Sequence, residues 1–196
     1  SNNAQMNPIL EAIGTELRIN DDQVIDDTTN GGQAYRLYFN KYSSENYGLT
    51  DGIENGVDLF SFYSGASVIL AQGAAGDKVD FIVKGHETTT TSDADNQGDN
   101  IEVAKGDVSV LGAEELANGS KVVVGGNTFF SDFETSGSSA DTYSNGKIVD
   151  NILEWMLPEK EAEKANIADL RVDADKDNVP DLLGQKFVVE GYVTSQ

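Results

Sequence analysis

The sequence contains no cysteine and only one histidine. Without cysteine, the chain has no disulfide framework, no thiolate nucleophile and no sulfur-ligated zinc or iron site. Basic residues are also scarce, with 13 Lys and Arg against 34 Asp and Glu, which gives a formal net charge of −21. Such a field repels nucleic-acid phosphates and anionic membranes and attracts cations. No apolar run approaches the ~20 residues of a membrane-spanning helix, so we expect neither direct nucleic-acid binding nor membrane insertion.

Hydrophobic residues make up 38% of the chain and there are 20 glycines, which indicates a modest core with long polar loops. Residues 7–14 predict a short helix, with Asn7 as its cap, Pro8 at its first position and Gly14 as its terminator. Runs rich in aromatic and β-branched residues predict strands at residues 17–19, 35–39, 57–63, 67–70 and 79–83. Polar residues 20–32 and 85–100 are typical of loops.

Two short continuous apolar runs, residues 108–111 and 121–126, are typical of strands buried on both faces of a parallel sheet. Residues 148–157 predict a helix that carries Ile148, Ile152 and Trp155 on one stripe, wide enough to lie on that sheet. A last strand is predicted at 186–194. The predicted fold class is therefore α/β, with a mixed, partly parallel sheet, flanking helices and a C-terminal β-strand extension.

Three segments, residues 17–27, 121–132 and 151–157, together resemble the class I glutamine-amidotransferase-like module. The resemblance is to the non-catalytic version inside large secreted or cell-surface bacterial proteins, often beside nuclease or phosphoesterase domains. It covers residues 7–157 and implies a flavodoxin-like fold. One or two βα units precede the helix at Pro8 in that family, so the resemblance also implies that the N-terminal part is missing.

A second resemblance concerns the C-terminus, where residues 183–195 are similar to the first strand of an OB-like module of secreted bacterial nucleases. The two resemblances imply an amidotransferase-like domain at 1–157, a charged linker at 158–184 and the start of the β-module at 185–196. The chain is then expected to be an interdomain piece of a secreted or cell-surface protein. Its partners would be other domains of the same polypeptide, and its oligomeric state stays open.

The amidotransferase reaction needs a cysteine nucleophile activated by a histidine, so this chain cannot perform it. The only histidine, His86, falls in a predicted loop. Ser64 and Ser131 lie near glycines but in no G-x-S-x-G elbow. A Ser-His-Asp arrangement that uses His86 stays open beside the simpler interpretation that His86 makes an ordinary loop hydrogen bond. The Gly125-Gly126 pair is too short for a dinucleotide-binding fingerprint.

The strongest chemical pattern lies in residues 173–181, where oxygen-bearing groups occupy alternate positions of one loop. This pattern suits Ca²⁺, which takes six to eight oxygen ligands. The loop resembles those of EF-hand-like and thrombospondin-type repeats, although Asn178 replaces the usual turn glycine and Gly184 the usual bidentate glutamate. The alternative is a solvated acidic linker. The predicted ligands are Asp173, Asp175, Asp177, the carbonyl of Val179 and Asp181.

Two further acidic segments are weaker candidates for cation binding. Asp93, Asp95 and Asp99 alternate along a loop that has Gly98 for its turn, and they predict a second calcium site. Asp21, Asp22, Asp26 and Asp27 could also hold a cation, but side chains that cap neighbouring turns explain this cluster more simply.

Two classes of function follow. The first, which we favour, is a non-catalytic module that spaces, orients or docks domains, with calcium stiffening its C-terminal linker. The alternative is a hydrolase or ligand-binding fragment that uses carboxylates at the C-terminal ends of the sheet strands, where open α/β sheets place ligands. A closed pocket that joins Glu114 or Glu115 to Asp132 would favour this alternative. Its predicted rim comprises Glu114, Glu115, Asn127, Ser131 and Asp132.

Overall fold

A computed structural model describes residues 3–136, 142–157, 163–174, 176, 179–182 and 187–189. The chain divides into two units, Ser1–Leu157 and Pro158–Gln196. The predicted boundary at 184/185 lies outside the described residues. No helix in the described segments has the length and hydropathy needed to cross a membrane.

Within its described residues, the first unit contains the α-helices α1 (Asn7–Ile13), α2 (Asp132–Thr135) and α3 (Asn145–Met156), and a 3-10 turn at Asn3–Met6. Its strands are β1 (Leu17–Ile19), β2 (Asp22–Ile25), β3 (Arg36–Phe39), β4 (Lys41–Tyr42), β5 (Phe60–Tyr63), β6 (Val68–Leu70), β7 (Val79–Lys84), β8 (Thr90–Asp93), β9 (Ser109–Glu115) and β10 (Lys121–Gly125). The second unit contains β11 (Glu163–Lys164), a 3-10 turn at Asp169–Arg171 and β12 (Phe187–Val188).

In the described part of the first unit, every pairing between the strands named above is antiparallel, and the isolated bridge between Leu59 and Tyr143 is parallel. The largest sheet has the order β10-β9-β7-β4. The pairs β1-β6, β2-β8 and β3-β5 accompany it. In the second unit, the described strands β11 and β12 form a short parallel pair.

The predicted α/β fold and the glutamine-amidotransferase-like, flavodoxin-like resemblance are therefore wrong. The apolar runs at 108–111 and 121–126 do form strands, but β9 and β10 are adjacent arms of one antiparallel hairpin. Only residues 116–120 connect them, and Leu116 N–H donates to Ser120 O at 2.8 Å to close the turn. A parallel pair needs a crossover of a dozen or more residues, so this connection allows only the antiparallel arrangement.

Apolar residues pack on both faces of the four-stranded sheet. Val123 of β10 contributes to the larger cluster, whereas its neighbours Val122 and Val124 contribute to the smaller one, as the alternation of side chains along a strand requires. The predicted helix at 148–157 is confirmed as α3, although it begins earlier, at Asn145. Its residues Ile148 and Ile152 are buried in the larger cluster. The smaller cluster contains Leu10 of α1, Leu17 of β1 and Val68 of β6.

Two segments that were predicted as loops contain strands. Within residues 20–32 lies β2, within 85–100 lies β8, and these strands pair with Asp22 opposite Asp93. All four residues of β8 are half-buried although none is apolar. Their hydroxyl and carboxyl groups leave no hydrophobic alternation, so the sequence pattern does not reveal the strand.

Gly126 lies where two backbone segments approach closely. A Cβ atom at this position would be 1.8 Å from the carbonyl oxygen of Ala66. Ala66 N–H donates to Gly126 O, and Gly126 N–H donates to Val110 O, both at 2.9 Å. The glycine is therefore required for packing between the end of β10 and the segment before β6.

Candidate functional site

Asp22, one of the acidic residues of the predicted cation cluster, joins two segments inside the protein. It is fully buried, and its carboxylate accepts hydrogen bonds from the N–H and the hydroxyl of Ser67, both at 2.7 Å. The side-chain amide of Asn20 donates to it at 2.8 Å. Burial raises the pKa of Asp22, and these hydrogen bonds oppose the increase. The carboxylate holds β2 against the start of β6.

Asp26 connects a turn of its own segment to the turn before β8. Its carboxylate accepts the N–H groups of Thr28 and Thr29 at 2.8 and 2.7 Å, and the hydroxyls of Thr88 and Thr89 at 2.7 and 3.0 Å. Burial favours the protonated form, but the hydrogen bonds outweigh it and lower the pKa of Asp26. Turn capping, the simpler interpretation of this cluster, is what the structure shows for Asp26.

Two more buried carboxylates have similar structural contacts. Asp80 accepts hydrogen bonds from Ser44 Oγ at 2.8 Å and from the amide side chain of Asn46 at 2.7 Å. Glu114 accepts the Thr15 hydroxyl at 2.5 Å and the Glu16 N–H at 2.7 Å. These acids hold loops against the four-stranded sheet. Among the described residues, neither acid hydrogen-bonds to a histidine that could act as the base of a catalytic triad.

His86 has the ordinary loop hydrogen bond that was one of its two interpretations. Its Nε2 lies 2.9 Å from the carbonyl oxygen of Tyr38, so Nε2 carries the proton that it donates. The ring is 5.4 Å from that of Phe39. Ser64 Oγ accepts from the Gln23 side chain, and Ser131 Oγ donates to Glu134. Neither of these serines hydrogen-bonds to the histidine, so the structure does not assemble a Ser-His-Asp arrangement from them.

The predicted ligand rim is divided between the two ends of the β9–β10 hairpin. Glu114 and Glu115 are at the end of β9, opposite Val122 and Lys121 at the start of β10. Asn127, Ser131 and Asp132 follow the other end of β10. Antiparallel pairing therefore separates the two groups, whereas the predicted parallel sheet would have placed them on one edge.

Three carboxylates do converge, and they come from two of the predicted acidic segments. Asp21, Asp95 and Asp99 each offer an oxygen atom, and these three atoms lie within 4.8 Å of one another. Asp21 is buried, Asp95 is half-buried and Asp99 is exposed. We call these residues the carboxylate triad. It keeps Asp95 and Asp99 of the predicted second calcium site and replaces Asp93 with Asp21.

Asp93 instead organises the loop that carries the triad. Its carboxylate accepts the N–H groups of Gly98 and Asn96, both at 2.7 Å, and of Asp95 at 3.1 Å. The Gly98 hydrogen bond is the main cause of the lowered pKa of Asp93. Asp99 behaves oppositely, because desolvation and then the negative charges of Asp21, Asp95 and Asp93 raise its pKa. The triad therefore holds concentrated negative charge, which a cation relieves.

Two members of the triad, Asp21 and Asp99, line an open cleft of about 330 Å³, whose wall also includes Asn7, Glu11 and the basic Arg18. An open cleft admits water, so a cation bound there can complete its coordination with water ligands. The arrangement of carboxylates and water suits a hard divalent cation such as Ca²⁺.

The predicted calcium loop at 173–181 is only partly described, since Asp175 and Asp177 lie outside the described residues. Its two ends are close together. Ala174 N–H lies 3.1 and 3.3 Å from the two carboxylate oxygens of Asp181, and Asp181 N–H donates to Val172 O at 2.9 Å. Asp173 is half-buried and Val179 is exposed.

A groove between α2 and α3 has a largely apolar lining. It measures about 420 Å³, and its lining includes Phe130, Val149, Lys147 and Asp150. Phe130 is 58% exposed, and Leu153, one helical turn beyond Val149, is 55% exposed. Phe133 of α2 is 54% exposed. We call Phe130, Val149, Leu153 and Phe133 the α2–α3 surface, which composition alone did not reveal.

Comparison with known proteins bears on the fold of the chain. No family model matches the chain, and no curated protein matches it. A solved structure named "mmIFT52 N-terminal domain" is similar, with a TM-score of 0.53 and 14% sequence identity. The likeness covers 80% of this chain but only 60% of that chain. At this identity it concerns the fold alone, and it gives no support to an amidotransferase-like or flavodoxin-like assignment.

Proposed function

We propose that the Ser1–Leu157 unit is a non-catalytic interaction module that docks or orients a partner protein. The observation that carries the proposal is the α2–α3 surface, whose groove is lined by exposed Phe130 and half-buried Val149. The same two helices also expose Phe133 and Leu153. Exposed apolar patches on a folded domain are typical of protein-binding sites. The buried acids described above and the histidine hold the fold together, which supports a binding rather than a catalytic role.

The charge around the groove determines the chemistry of the proposed partner. Asp150 and the basic Lys147 line the groove, and the carboxylates of Asp132 and Glu154 belong to the sequence neighbours of Phe133 and Leu153. The net charge of −21 adds a long-range negative field. The favoured partner is therefore a basic amphipathic helix, whose apolar side enters the groove while its Lys or Arg residues face the carboxylates.

A peptide-binding experiment tests this function. Labelled helical peptides with one leucine face and one lysine face are titrated with the protein and followed by fluorescence anisotropy. Phe130→Ser/Phe133→Ser/Leu153→Ser should abolish binding, whereas Ile9→Ser/Ile13→Ser, which changes exposed apolar residues of α1, should not. Equal binding by both variants, or no binding by the wild type, would contradict the proposal.

The secreted or cell-surface location and the same-chain domain partners derived from the amidotransferase-like resemblance, and they stay predictions. The similar solved structure is, by its name, the N-terminal domain of its own protein. A domain within a longer protein is the setting in which a docking module operates, and this supports the proposed role.

A second candidate function is Ca²⁺ binding, which the carboxylate triad favours. We also keep the loop at 173–181 as a proposed calcium-stabilised linker, supported by the hydrogen bonds that bring Ala174 and Asp181 together. Calorimetric titration with Ca²⁺ should give weak binding, about 10⁻⁴–10⁻³ M as in extracellular modules. Asp95→Asn/Asp99→Asn should remove the heat of the triad, and Asp175→Asn/Asp177→Asn that of the loop. Unchanged heat in either double variant would exclude that site.

A further inference from the structure

The two edges of the four-stranded sheet differ in how well they are protected. The β4 edge is only two residues long, and its Lys41 forms an ion pair with Glu87 at 2.5 Å. The β10 edge has five residues in continuous register with β9 and contains three consecutive valines. Short strands, edge charges, bulges and prolines normally prevent unwanted pairing. In the described structure β10 has no proline and no bulge, and valines favour strand pairing.

The hydrogen-bond pattern identifies which backbone groups of β10 point away from β9. Gly126 N–H donates to Val110 O, and Leu116 N–H donates to Ser120 O, so 110/126 and 116/120 are hydrogen-bonded positions. Such positions recur at every second residue of an antiparallel pair. On the β10 arm of the hairpin the hydrogen-bonded positions are therefore 120, 122, 124 and 126. The alternate residues Lys121, Val123 and Gly125 direct their N–H and C=O groups away from β9. Those groups have no hydrogen-bond partner among the residues that the structure describes.

The lysine of this edge does not protect it. Lys121 Nζ donates to the carbonyl oxygen of Trp155 and lies 5.3 Å from the centre of the Trp155 ring. The side chain is thereby held against α3. Val122 and Val123 are half-buried, so part of each side chain stays accessible beside the open backbone.

We propose that β10 binds an extended segment of a partner protein, which adds to the sheet as a fifth strand. Main-chain hydrogen bonds to Lys121 and Val123 supply affinity, as in other cases of strand addition. The net charge of −21 opposes pairing with a second copy of this chain and favours a segment with Lys or Arg between its apolar residues. The inference goes beyond the groove because it uses a different surface and an extended partner.

The test uses a synthetic peptide of alternating valine and lysine, together with a matched peptide that is N-methylated at the amide nitrogens that would face β10. Methylation removes the donors but keeps the side chains. The unmethylated peptide should bind and slow hydrogen exchange at Lys121 and Val123, and methylation should weaken binding about tenfold or more, as expected for loss of two or more hydrogen bonds. Equal affinity of both peptides, or slowed exchange elsewhere, would overturn the proposal.

Two protein variants complete the experiment. Val123→Pro removes an outward N–H without removing a bond to β9, so it should weaken binding, whereas Val123→Thr should not. If Val123→Pro fails to fold, the methylated peptide decides the question with wild-type protein alone. The Phe130→Ser/Phe133→Ser/Leu153→Ser variant should still bind the strand peptide, which separates this proposal from the groove. Dimers through β10 in sedimentation would overturn the assignment to a basic partner.

Discussion

The side-chain amide of Asn145 hydrogen-bonds to both the N–H and the C=O group of Ser61, as a neighbouring strand would. Its Oδ1 accepts the Ser61 N–H at 2.8 Å, and its Nδ2 donates to the Ser61 carbonyl at 3.1 Å. The same Nδ2 donates to the carbonyl of Phe129 at 2.9 Å. Because Asn145 is fully buried at the start of α3, its amide joins α3, β5 and the segment that leads into α2. The α2–α3 surface therefore depends on this residue for its position.

Asn145→Ala leaves three buried backbone groups without this partner, so unfolding free energy should fall by about 2–4 kcal/mol. Urea denaturation measures the change. Asn151→Ala is a matched control on the same helix, where the amide donates to the carbonyls of Leu49 and Asp51 near the surface. It should cost less than about 1 kcal/mol. Equal losses in the two variants would show that Asn145 has no special role.

Trp155 supplies a second test of how α3 is attached. Its ring centre lies 4.8 Å from that of Tyr47. The ammonium group of Lys121 lies over the face of the same Trp155 ring. Since Trp155 is half-buried, Trp155→Ala should cost about 2–4 kcal/mol, less than a fully buried aromatic residue. Lys121→Met keeps the stem and removes the charge, and should cost about 0.5–1 kcal/mol. An unchanged melting temperature for Trp155→Ala would exclude its proposed packing.

Local signals predicted elements better than they predicted pairing. Gly14, with φ of 84°, ends α1 as the sequence indicates, and the stripe of Ile148 and Ile152 predicts α3. The predicted cap Asn7 instead lies inside α1, and its side chain hydrogen-bonds to the backbone of Ile19. The run at residues 121–126 predicts a strand, but burial on both faces is compatible with parallel or antiparallel pairing. The predicted fold class was wrong because continuous apolar runs were taken to indicate parallel pairing. The direction of pairing is determined here by the short turn that connects β9 and β10.

The candidate cation site shows the same limit of sequence spacing. The alternate spacing of carboxylates predicted Asp93, Asp95 and Asp99 as ligands. The carboxylate of Asp93 instead accepts hydrogen bonds from backbone N–H groups of its own loop. Asp21 joins the triad because β2 pairs with β8, and that pairing connects polar residues that carry no hydrophobic pattern. The spacing of acidic residues along one segment cannot identify a ligand that comes from a strand distant in the sequence.

The hydrogen bonds to Asp26 predict a pH-dependent contribution to stability. Its pKa is lowered in the folded protein, so the stabilisation is present above the unfolded value of 3.8 and is lost as pH falls through the lower folded value. Asp26→Asn should therefore reduce unfolding free energy by about 1–3 kcal/mol at neutral pH. The difference from wild type should shrink in the acid range. Asp27→Asn, at an exposed site, serves as the control, and parallel curves for all three proteins would contradict this role.

Asp99 gives the opposite dependence and connects stability to Ca²⁺. Because its pKa is raised in the folded protein, the folded state holds the proton more tightly, and stability falls as pH rises from the unfolded value of 3.8. Without calcium, Asp99→Asn should therefore raise the melting temperature at pH 7 and remove part of this decline.

Calcium should make the melting temperature of the wild type higher than that of Asp99→Asn, because a bound cation compensates the negative charge of the triad. Added Ca²⁺ should raise the melting temperature of the wild type and leave that of Asp99→Asn nearly unchanged, and a chelator should remove the increase. Differential scanning fluorimetry at pH 5 and pH 7 measures both effects, with Asp77→Asn as an exposed control. At pH 5 the calcium effect should be smaller, since protons compete for the same oxygens. An equal calcium response in wild type and Asp99→Asn would show that the triad is not the cation site.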